Sequence, residues 1–307
     1  MWLFYFMDAP FQPLVQPFID YLKFEKRYSP HTVRSYQDDL FQFFQFLNKT
    51  FGELSLNEII SSYVRSWLAS LKEEELTARS INRKLSTLKS FFKYQVRIGE
   101  LQQTPMTNVI APKASKRLPS FIPETDLAAL LHTLRFTEDW KGLNAKMLLS
   151  LFYFTGMRLS ELINLKERQI DKSKKVIKIL GKGNKERIVP VSPELLKMVD
   201  EYIDAKKREY ESPEEYFLVT EKGKKMYPKY AYLLTRQYLA SIKTLEKKSP
   251  HILRHTFATH LTNHGANLNA VKELLGHASL ASTQVYTHNT IEKLKEVYKK
   301  AHPKEQK

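Results

Sequence analysis

The sequence of 307 residues contains no cysteine. This absence excludes disulfide bonds, cysteine-ligated zinc, iron–sulfur clusters and a thiol nucleophile. Long apolar runs are also missing: Asp8 and Pro10 interrupt the apolar start, and no later stretch is long enough to span a bilayer. The start has neither the basic leader nor the small-residue cleavage site of a signal peptide. We therefore expect a cytoplasmic protein in which residues 1–13 form an N-terminal extension.

The charge is predominantly of one sign, with 49 Lys and Arg against 33 Asp and Glu and a net charge of +16. Such an excess points to a polyanionic partner, either nucleic acid or an acidic membrane surface. Residues 1–112 hold 13 Lys and Arg against 11 Asp and Glu, so the long-range attraction must come mainly from the rest of the chain. The first part offers a local basic stripe, for which a merely solvated helix face is the alternative. The stripe comprises Arg79, Arg83, Lys84 and Lys89.

The length is about twice that of a usual domain, which predicts two domains. Apolar residues at helical spacing predict a helical domain over residues 14–104, with Phe24 and Val96 among its inward positions. The expected helices run from Leu14 to Arg27, from the capping pair Ser29-Pro30 onward, from Ile59 to Leu71, and from Thr77 to Ile98.

Residues 105–120 combine prolines with basic residues and little periodicity, which predicts an extended basic linker. Residues 121–307 then form the second domain. Two β-branched runs, Val176–Leu180 and Arg187–Val191, flank a glycine-rich turn and predict a β-hairpin. A short strand at 216–220 and several helices complete the expectation, so the fold class is mainly α with a small antiparallel β-sheet. The predicted helices cover residues 228–245, 252–264, 268–275 and 290–300.

The second domain also carries side chains suited to phosphodiester chemistry. They are Arg158, Lys182, His251, Arg254, His277 and, nine residues further on, Tyr286. Metal-free cleavage needs fixed cations on the non-bridging oxygens, a proton for the leaving oxygen and a nucleophile. Arginine grips two oxygens, lysine or histidine supplies a proton, and tyrosine forms an ester that keeps the bond energy for rejoining. The set meets each of these needs.

Metal binding is the alternative for the histidines. His251 and His255 lie four residues apart and could face one ion on a helix, but Ile252 stands where a metalloprotease has glutamate. His260 and His264 share the same predicted helix with apolar residues. We therefore expect neither a metal nor another cofactor, and we expect the histidines at 255, 260 and 264 to be structural.

The candidate residues lie in five segments, Thr155–Leu162, Gly181–Arg187, His251–Leu261, Leu274–His277 and Tyr286–His288. In order and in sequence, these segments resemble motifs of the tyrosine recombinases of the lambda-integrase superfamily, and most closely those of the bacterial Xer type. The stretch from Tyr28 to Leu40 resembles the SAM-like core-binding domain of the same family. The resemblance covers the chain from about residue 14 to the tail.

The resemblance implies a role for each matching residue. Tyr286 would attack the scissile phosphate, leaving a 3′-phosphotyrosine and a free 5′-hydroxyl. Arg158 and Arg254 would clamp the phosphate, with a hydrogen bond from His277.

Three further positions match the family as well. Lys182 would be the general acid for the 5′-oxygen, and His251 would be its acid–base partner. Glu161 matches an acidic position that supports the site without taking part in the reaction.

The resemblance also implies an architecture and a set of partners. The two domains would form a C-shaped clamp around a double-stranded DNA recombination site, and four protomers would exchange strands through a Holliday junction. The apolar positions of the C-terminal helix would dock either on a neighbouring protomer or on their own; they are Ile291, Leu294, Val297 and Tyr298.

The predicted cellular function is Xer-like resolution of chromosome dimers during chromosome partition and cell division. The protein would act in association with the nucleoid. A second Xer recombinase and a DNA translocase are the partners left open. The alternatives are the integrase of a mobile element, a type IB topoisomerase, and a DNA-binding protein without catalytic activity.

Overall fold

The computed structural model describes residues 11–113, 120–133, 136–181, 186–246, 248–276 and 288–303. The chain forms two compact units, Met1–Arg117 and Leu118–Lys307. Most described residues are helical and the described strands form one small antiparallel sheet, which confirms the predicted fold class. Within these ranges, no helix combines the length and the apolarity needed to span a bilayer.

The first unit contains the four helices that the sequence predicts. They are α1 Gln12–Asp20, α2 Pro30–Phe51, α3 Ser61–Glu73 and α4 Ala78–Arg97. The predicted start of α2 is confirmed, because the Ser29 hydroxyl accepts a hydrogen bond from the Thr32 backbone N–H and Pro30 occupies the first turn. Thr77 caps α4 in the same way by accepting from the Ser80 N–H.

Two inward positions predicted for this unit are wrong. The segment Tyr21–Glu25 continues α1 as a π-helical turn, and this wider turn rotates Phe24 away from the core, leaving it 65% exposed. Val96 is also exposed. The buried stripe of α4 includes Gln95 instead, whose side-chain amide donates to the Leu14 carbonyl at 3.2 Å.

The basic stripe predicted on α4 is interrupted at Lys84, which is buried. Its ammonium donates to Asp39 Oδ1 at 3.1 Å, and Asp39 is itself buried on α2. Arg83 donates to both oxygens of the same carboxylate. A buried ammonium requires such a partner, so Lys84 belongs to the helix packing, and Arg79, Arg83 and Lys89 remain on the surface.

Part of the segment expected to be a linker packs against the first unit. Met106 and Val109 are buried in its core. The Ser61 hydroxyl donates to the Pro105 carbonyl, and the Asn82 side-chain amide donates to the Pro112 carbonyl. These contacts satisfy carbonyls that residues 105–112 cannot pair within a regular element.

The second unit is built around a helix that periodicity does not reveal. Its helices are α5 Glu124–Ala128, α6 Trp140–Thr155, α7 Leu159–Leu162, α8 Pro193–Glu209, α9 Pro228–Leu239, α10 Pro250–Asn263, α11 Leu268–Leu275 and α12 His288–Ala301. A π-helical turn, Ala129–Thr133, continues α5. Every residue of α6 from Leu148 to Thr155 is buried. A helix covered on all sides has no polar face and therefore no amphipathic pattern.

The predicted β-hairpin is confirmed. Strands β1 Ile170–Asp171, β2 Val176–Leu180 and β3 Glu186–Pro190 form an antiparallel sheet in the order β1-β2-β3. In the hairpin, Val176 pairs with Pro190 and Leu180 with Glu186.

Two other predictions for this unit fail. Residues 216–220 form only isolated bridges, Lys166 with Tyr216 and Val219 with Lys225, and the Phe217 N–H donates to the Leu165 carbonyl, which lies outside any strand. The helix predicted over 228–245 ends at Leu239; Ile242 and Leu245 reach the core from turns.

The last helix, α12, packs on its own unit. Tyr298 and Ala301 are buried, and the Tyr298 hydroxyl donates to the Phe154 carbonyl of α6 at 2.9 Å. The Tyr298 ring stacks on buried His302 with centroids 4.7 Å apart. The isolated chain thus shows intramolecular docking of this helix, while the side chains of Ile291 and Leu294 lie outside the described residues.

Candidate active site

The segment around Arg158 begins at a tight turn that only glycine fits. Helix α6 ends at Gly156, whose φ of +59° is left-handed. A Cβ at this position would come within 2.5 Å of Phe257 Cδ1 and 2.9 Å of Leu275 Cδ2. The chain then enters α7 with Arg158 as its N-cap residue. The glycine therefore lets the backbone before Arg158 lie directly against α10 and α11.

Glu161 gathers two arginines at the start of α7. Its carboxylate accepts from the Arg158 backbone N–H and Nη1, both at 2.8 Å. It also accepts both terminal nitrogens of Arg187, at 2.9 and 2.8 Å. Burial alone would raise the pKa of Glu161, but the hydrogen bonds and charge of Arg187, together with the hydrogen bonds from Arg158, hold that pKa below its usual range. The carboxylate therefore stays charged and fixes both side chains.

Arg254 enters the same cluster from α10. Its Nη1 donates to the Gly156 carbonyl at 2.5 Å, and its Nη2 donates to the Leu275 carbonyl at 2.6 Å. Burial, together with the neighbouring charges of Arg158 and Arg187, lowers the pKa of Arg254 to about 10. The guanidinium remains charged at neutral pH but lacks full compensation.

Three arginines converge on the C-terminus of α11. Arg187 Nε donates to the Leu274 carbonyl at 2.8 Å, and Arg254 donates to the next carbonyl along the chain. Arg158 Nη2 lies 3.3 Å from the carbonyl of Gly276, the residue that ends the helix in a left-handed conformation. The last carbonyls of a helix lack intrahelical partners and carry its negative dipole end. Arginines are therefore the complementary caps.

The charge of the cluster is suited to binding an anion. Three guanidinium groups face the single carboxylate of Glu161, so these four side chains carry a net charge of +2. His251 lies one turn before Arg254 on α10 and is exposed at the surface of the unit. Residues three apart share a helix face. A phosphodiester bound by Arg158 and Arg254 would relieve the unbalanced charge.

Three predicted site residues, Lys182, His277 and Tyr286, lie outside the described residues. Lys182 belongs to the connection between β2 and β3, and His277 directly follows Gly276 of the arginine cluster. Their roles stay predictions.

One residue of the cluster, Arg187, was not singled out from the sequence. It lies in the segment Gly181–Arg187, in which the resemblance implies a role only for Lys182. A charged residue on an otherwise apolar strand, Arg187-Ile188-Val189, was the signal available. His260, expected to be structural, is buried with Nε2 2.9 Å from the Ile122 carbonyl.

The comparison with known proteins now decides the family. Residues 120–293 match the phage integrase family, and residues 15–99 match the N-terminal SAM-like domain of phage integrases. The chain belongs to the phage integrase family. The first match covers more than half of the chain and includes the whole arginine cluster.

Curated relatives narrow the assignment. The chain is 34% identical to tyrosine recombinase XerC of Chlorobaculum parvum over 94% of both proteins. It is 37% identical to tyrosine recombinase XerC of Staphylococcus saprophyticus, over 96% of this chain and 99% of the relative. These relatives confirm the prediction of a Xer-type, tyrosine site-specific recombinase.

A solved structure agrees with this assignment. The XerH site-specific recombinase, in a pre-cleavage complex with its difH substrate, is 25% identical, with a TM-score of 0.66. The match covers 86% of this chain and 78% of XerH.

Proposed function

We propose that this recombinase cuts and rejoins DNA through a 3′-phosphotyrosyl bond to Tyr286. In this proposal Arg158 and Arg254 bind the scissile phosphate. The observation that carries it is the convergence of these two guanidinium groups, from α7 and α10, beside the end of α11. The Arg158 contact with Gly276 spans 118 positions of sequence. The segment that contains Tyr286 starts at the very next residue.

The proposed reaction conserves the phosphodiester. The Tyr286 oxygen attacks phosphorus, the bond to the 5′-oxygen breaks, and Lys182 gives that oxygen a proton. His251 acts as the acid–base partner, and His277 adds a hydrogen bond to the phosphate. Attack by the 5′-hydroxyl of a second strand reverses the step and releases the tyrosine, so no external energy source or cofactor is needed. Two such exchanges proceed through a Holliday junction.

We further propose a division of labour along the chain. Residues 14–104 form the core-binding domain, 105–120 the linker and 121–307 the catalytic domain, and both domains contact duplex DNA. Support comes from the SAM-like match over residues 15–99 and from the solved XerH relative, which is bound to its difH substrate.

The proposed cellular duty is resolution of chromosome dimers, in the cytoplasm and on the nucleoid. Its support is that the curated relatives above are named XerC. Four protomers would act together, alone or with a second Xer recombinase, and a DNA translocase would activate them. Because α12 docks on its own unit in the isolated chain, its use in a tetramer requires that Tyr298 and Ala301 change partners.

Trapping the covalent intermediate tests the nucleophile. Wild-type protein is incubated with genomic DNA of its host, denatured, and the DNA that remains attached to protein is sequenced. We expect attachment at a defined site, its loss in Tyr286→Phe with DNA binding retained, and no change in Tyr227→Phe, a matched variant at an exposed tyrosine. Absence of attached DNA in the wild type refutes the proposal.

The position of the attachment distinguishes the alternatives. A single chromosomal locus outside mobile elements supports dimer resolution, whereas attachment at the ends of a mobile element supports an integrase. Attachment scattered without sequence preference, together with relaxation of any supercoiled plasmid, supports a type IB topoisomerase.

A further inference from the structure

Arg187 is the buried member of the arginine cluster to which neither the motifs nor the family resemblance gave a role. We propose that Arg187 is a positioning residue, which holds Glu161 and the end of α11 so that Arg158 is oriented for the scissile phosphate. This inference rests on the proposed role of Arg158 as a phosphate ligand.

The contacts of Arg187 use its whole guanidinium group. Both terminal nitrogens donate to the Glu161 carboxylate, and Nε donates to the Leu274 carbonyl. The side chain is 5% exposed and all three of its nitrogens are engaged, so little of it is available to DNA. Its influence on the phosphate must therefore pass through its partners.

The first of these partners leads directly to Arg158. Glu161 Oε1 accepts from Nη1 of Arg158 and from Nη1 of Arg187, at 2.8 and 2.9 Å. Without Arg187, a buried carboxylate facing Arg158 alone would pair with it fully and withdraw its charge from a substrate phosphate. Arg187 shares the carboxylate and so keeps Arg158 both oriented and undercompensated.

The second partner leads to the end of α11. A Cβ at Gly276 would lie 2.9 Å from Arg187 Cδ, so the backbone there runs directly over the arginine side chain. Arg187 binds the Leu274 carbonyl and packs beneath Gly276, and His277 is the next residue. The arginine thus fixes the point at which the proposed nucleophile segment leaves the helix.

Lysine could not do the same work. The planar guanidinium presents donors in a fixed fork that matches a carboxylate and leaves Nε for a third acceptor. An ammonium is a point charge and cannot hold a bidentate carboxylate and a helix carbonyl in this geometry.

The chain offers a matched control in Lys206. This residue is also buried, on α8 of the same unit, where its ammonium donates to Glu167 at 2.7 Å and to the Tyr216 carbonyl at 2.6 Å. It therefore joins a carboxylate to backbone carbonyls, much as Arg187 does. Its hydrogen-bond partners within the described part of the chain are Glu167, Glu214 and Tyr216, and they include neither Arg158, Arg254 nor α11. A purely structural role predicts equal consequences for the two residues.

The test is single-turnover cleavage of a nicked duplex. The duplex contains the DNA sequence to which wild-type protein becomes covalently attached in the trapping experiment described above. We expect Arg187→Gln to cut at a rate about 100-fold lower, the loss that a misplacement of about 1 Å produces, with DNA affinity nearly unchanged. Arg187→Lys should recover little of the rate. Lys206→Gln should lower the melting temperature yet cleave at the wild-type rate per folded molecule. Wild-type cleavage by folded Arg187→Gln, or an equal loss in Lys206→Gln, overturns the inference.

A double-mutant cycle tests the route through Glu161. If Arg187 acts through Glu161, the rate losses of Arg187→Gln and Glu161→Gln should not multiply in the double variant; independent multiplication contradicts the route. Arg158→Gln separates the two levels of the argument. If Arg158→Gln still cleaves normally, the phosphate role fails and the inference with it. If Arg158→Gln is inactive and Arg187→Gln is normal, only the inference fails.

Discussion

Replacing Gly156 with alanine should damage the second unit far more than the same change at Gly265. Both residues have left-handed φ angles, +59° and +83°. At Gly156 the new Cβ would lie 2.5 Å from a ring carbon of Phe257 and 2.9 Å from Leu275 Cδ2, both of them buried side chains. At Gly265 nothing lies within 4 Å of the new Cβ. The two variants therefore share the backbone cost and differ only in crowding.

The expected magnitudes follow from these contacts. A left-handed conformation costs a residue with a Cβ about 1–2 kcal/mol, which is the whole effect at Gly265. Overpacking a buried site adds about 1–3 kcal/mol, so Gly156→Ala should lower the free energy of unfolding by about 2–5 kcal/mol. For a unit of this size each kcal/mol lowers the melting temperature by about 2–4 °C.

The assay is thermal and urea unfolding of the full chain, monitored by a probe in the second unit. Activity provides a second readout, because the Gly156 carbonyl accepts from Arg254 and its displacement should slow DNA cleavage even in folded Gly156→Ala. Gly265→Ala should cleave normally. Equal destabilisation of the two variants would refute the reasoning, since the close approach of α6, α10 and α11 at Gly156 would then have no energetic consequence.

Two further predictions concern buried carboxylates. Asp39→Ala should lower the free energy of unfolding of the first unit by about 3–5 kcal/mol, because it leaves Lys84 buried without its carboxylate. Its neighbour Asp38 is exposed, so Asp38→Ala should change the free energy of unfolding, measured by urea titration, by less than about 0.5 kcal/mol. Equal losses of stability in the two variants would contradict burial as the cause. The pKa of Glu161 is lower in the folded state than in the unfolded state. The ionised carboxylate therefore stabilises the fold at pH values above its unfolded pKa, and this stabilisation is lost as the pH falls through its folded-state pKa. Below about pH 4.3 the melting temperature of wild type should therefore fall more steeply than that of Glu161→Gln, and parallel profiles would count against the ion-pair cluster.

Local patterns were sufficient to predict much of the helical architecture. Ser29-Pro30 and Thr77 mark helix starts because a side-chain oxygen must satisfy free N–H groups, and that requirement is written in adjacent residues. Ser192-Pro193 is the same kind of start signal for α8, where the Ser192 hydroxyl accepts from the Leu195 N–H. The buried helix α6 could not be found by periodicity, because an element covered on all sides shows no alternation of polar and apolar faces.

Two burial predictions failed, one because of a local change in helix type and one because of a distant partner. A single π-helical turn exposes Phe24, and a partner on another helix draws Lys84 into the interior. Neither event has a signature in neighbouring residues. The hydrophobic pattern assigns a face to each position only while the helix keeps its usual period.

The arginine cluster shows why residue types can be predicted from sequence while their division of labour cannot. The chemistry of a phosphodiester called for arginines, and the motifs supplied Arg158 and Arg254. Which arginine faces a phosphate and which holds a carboxylate depends on contacts that span 26 positions from Glu161 to Arg187 and 87 from Arg187 to Leu274. All three nitrogens of the Arg187 guanidinium are engaged by Glu161 and Leu274, whereas the half-buried Arg158 retains accessible surface. These contacts, which only the folded chain defines, therefore distinguish the proposed positioning residue Arg187 from the proposed phosphate ligand Arg158.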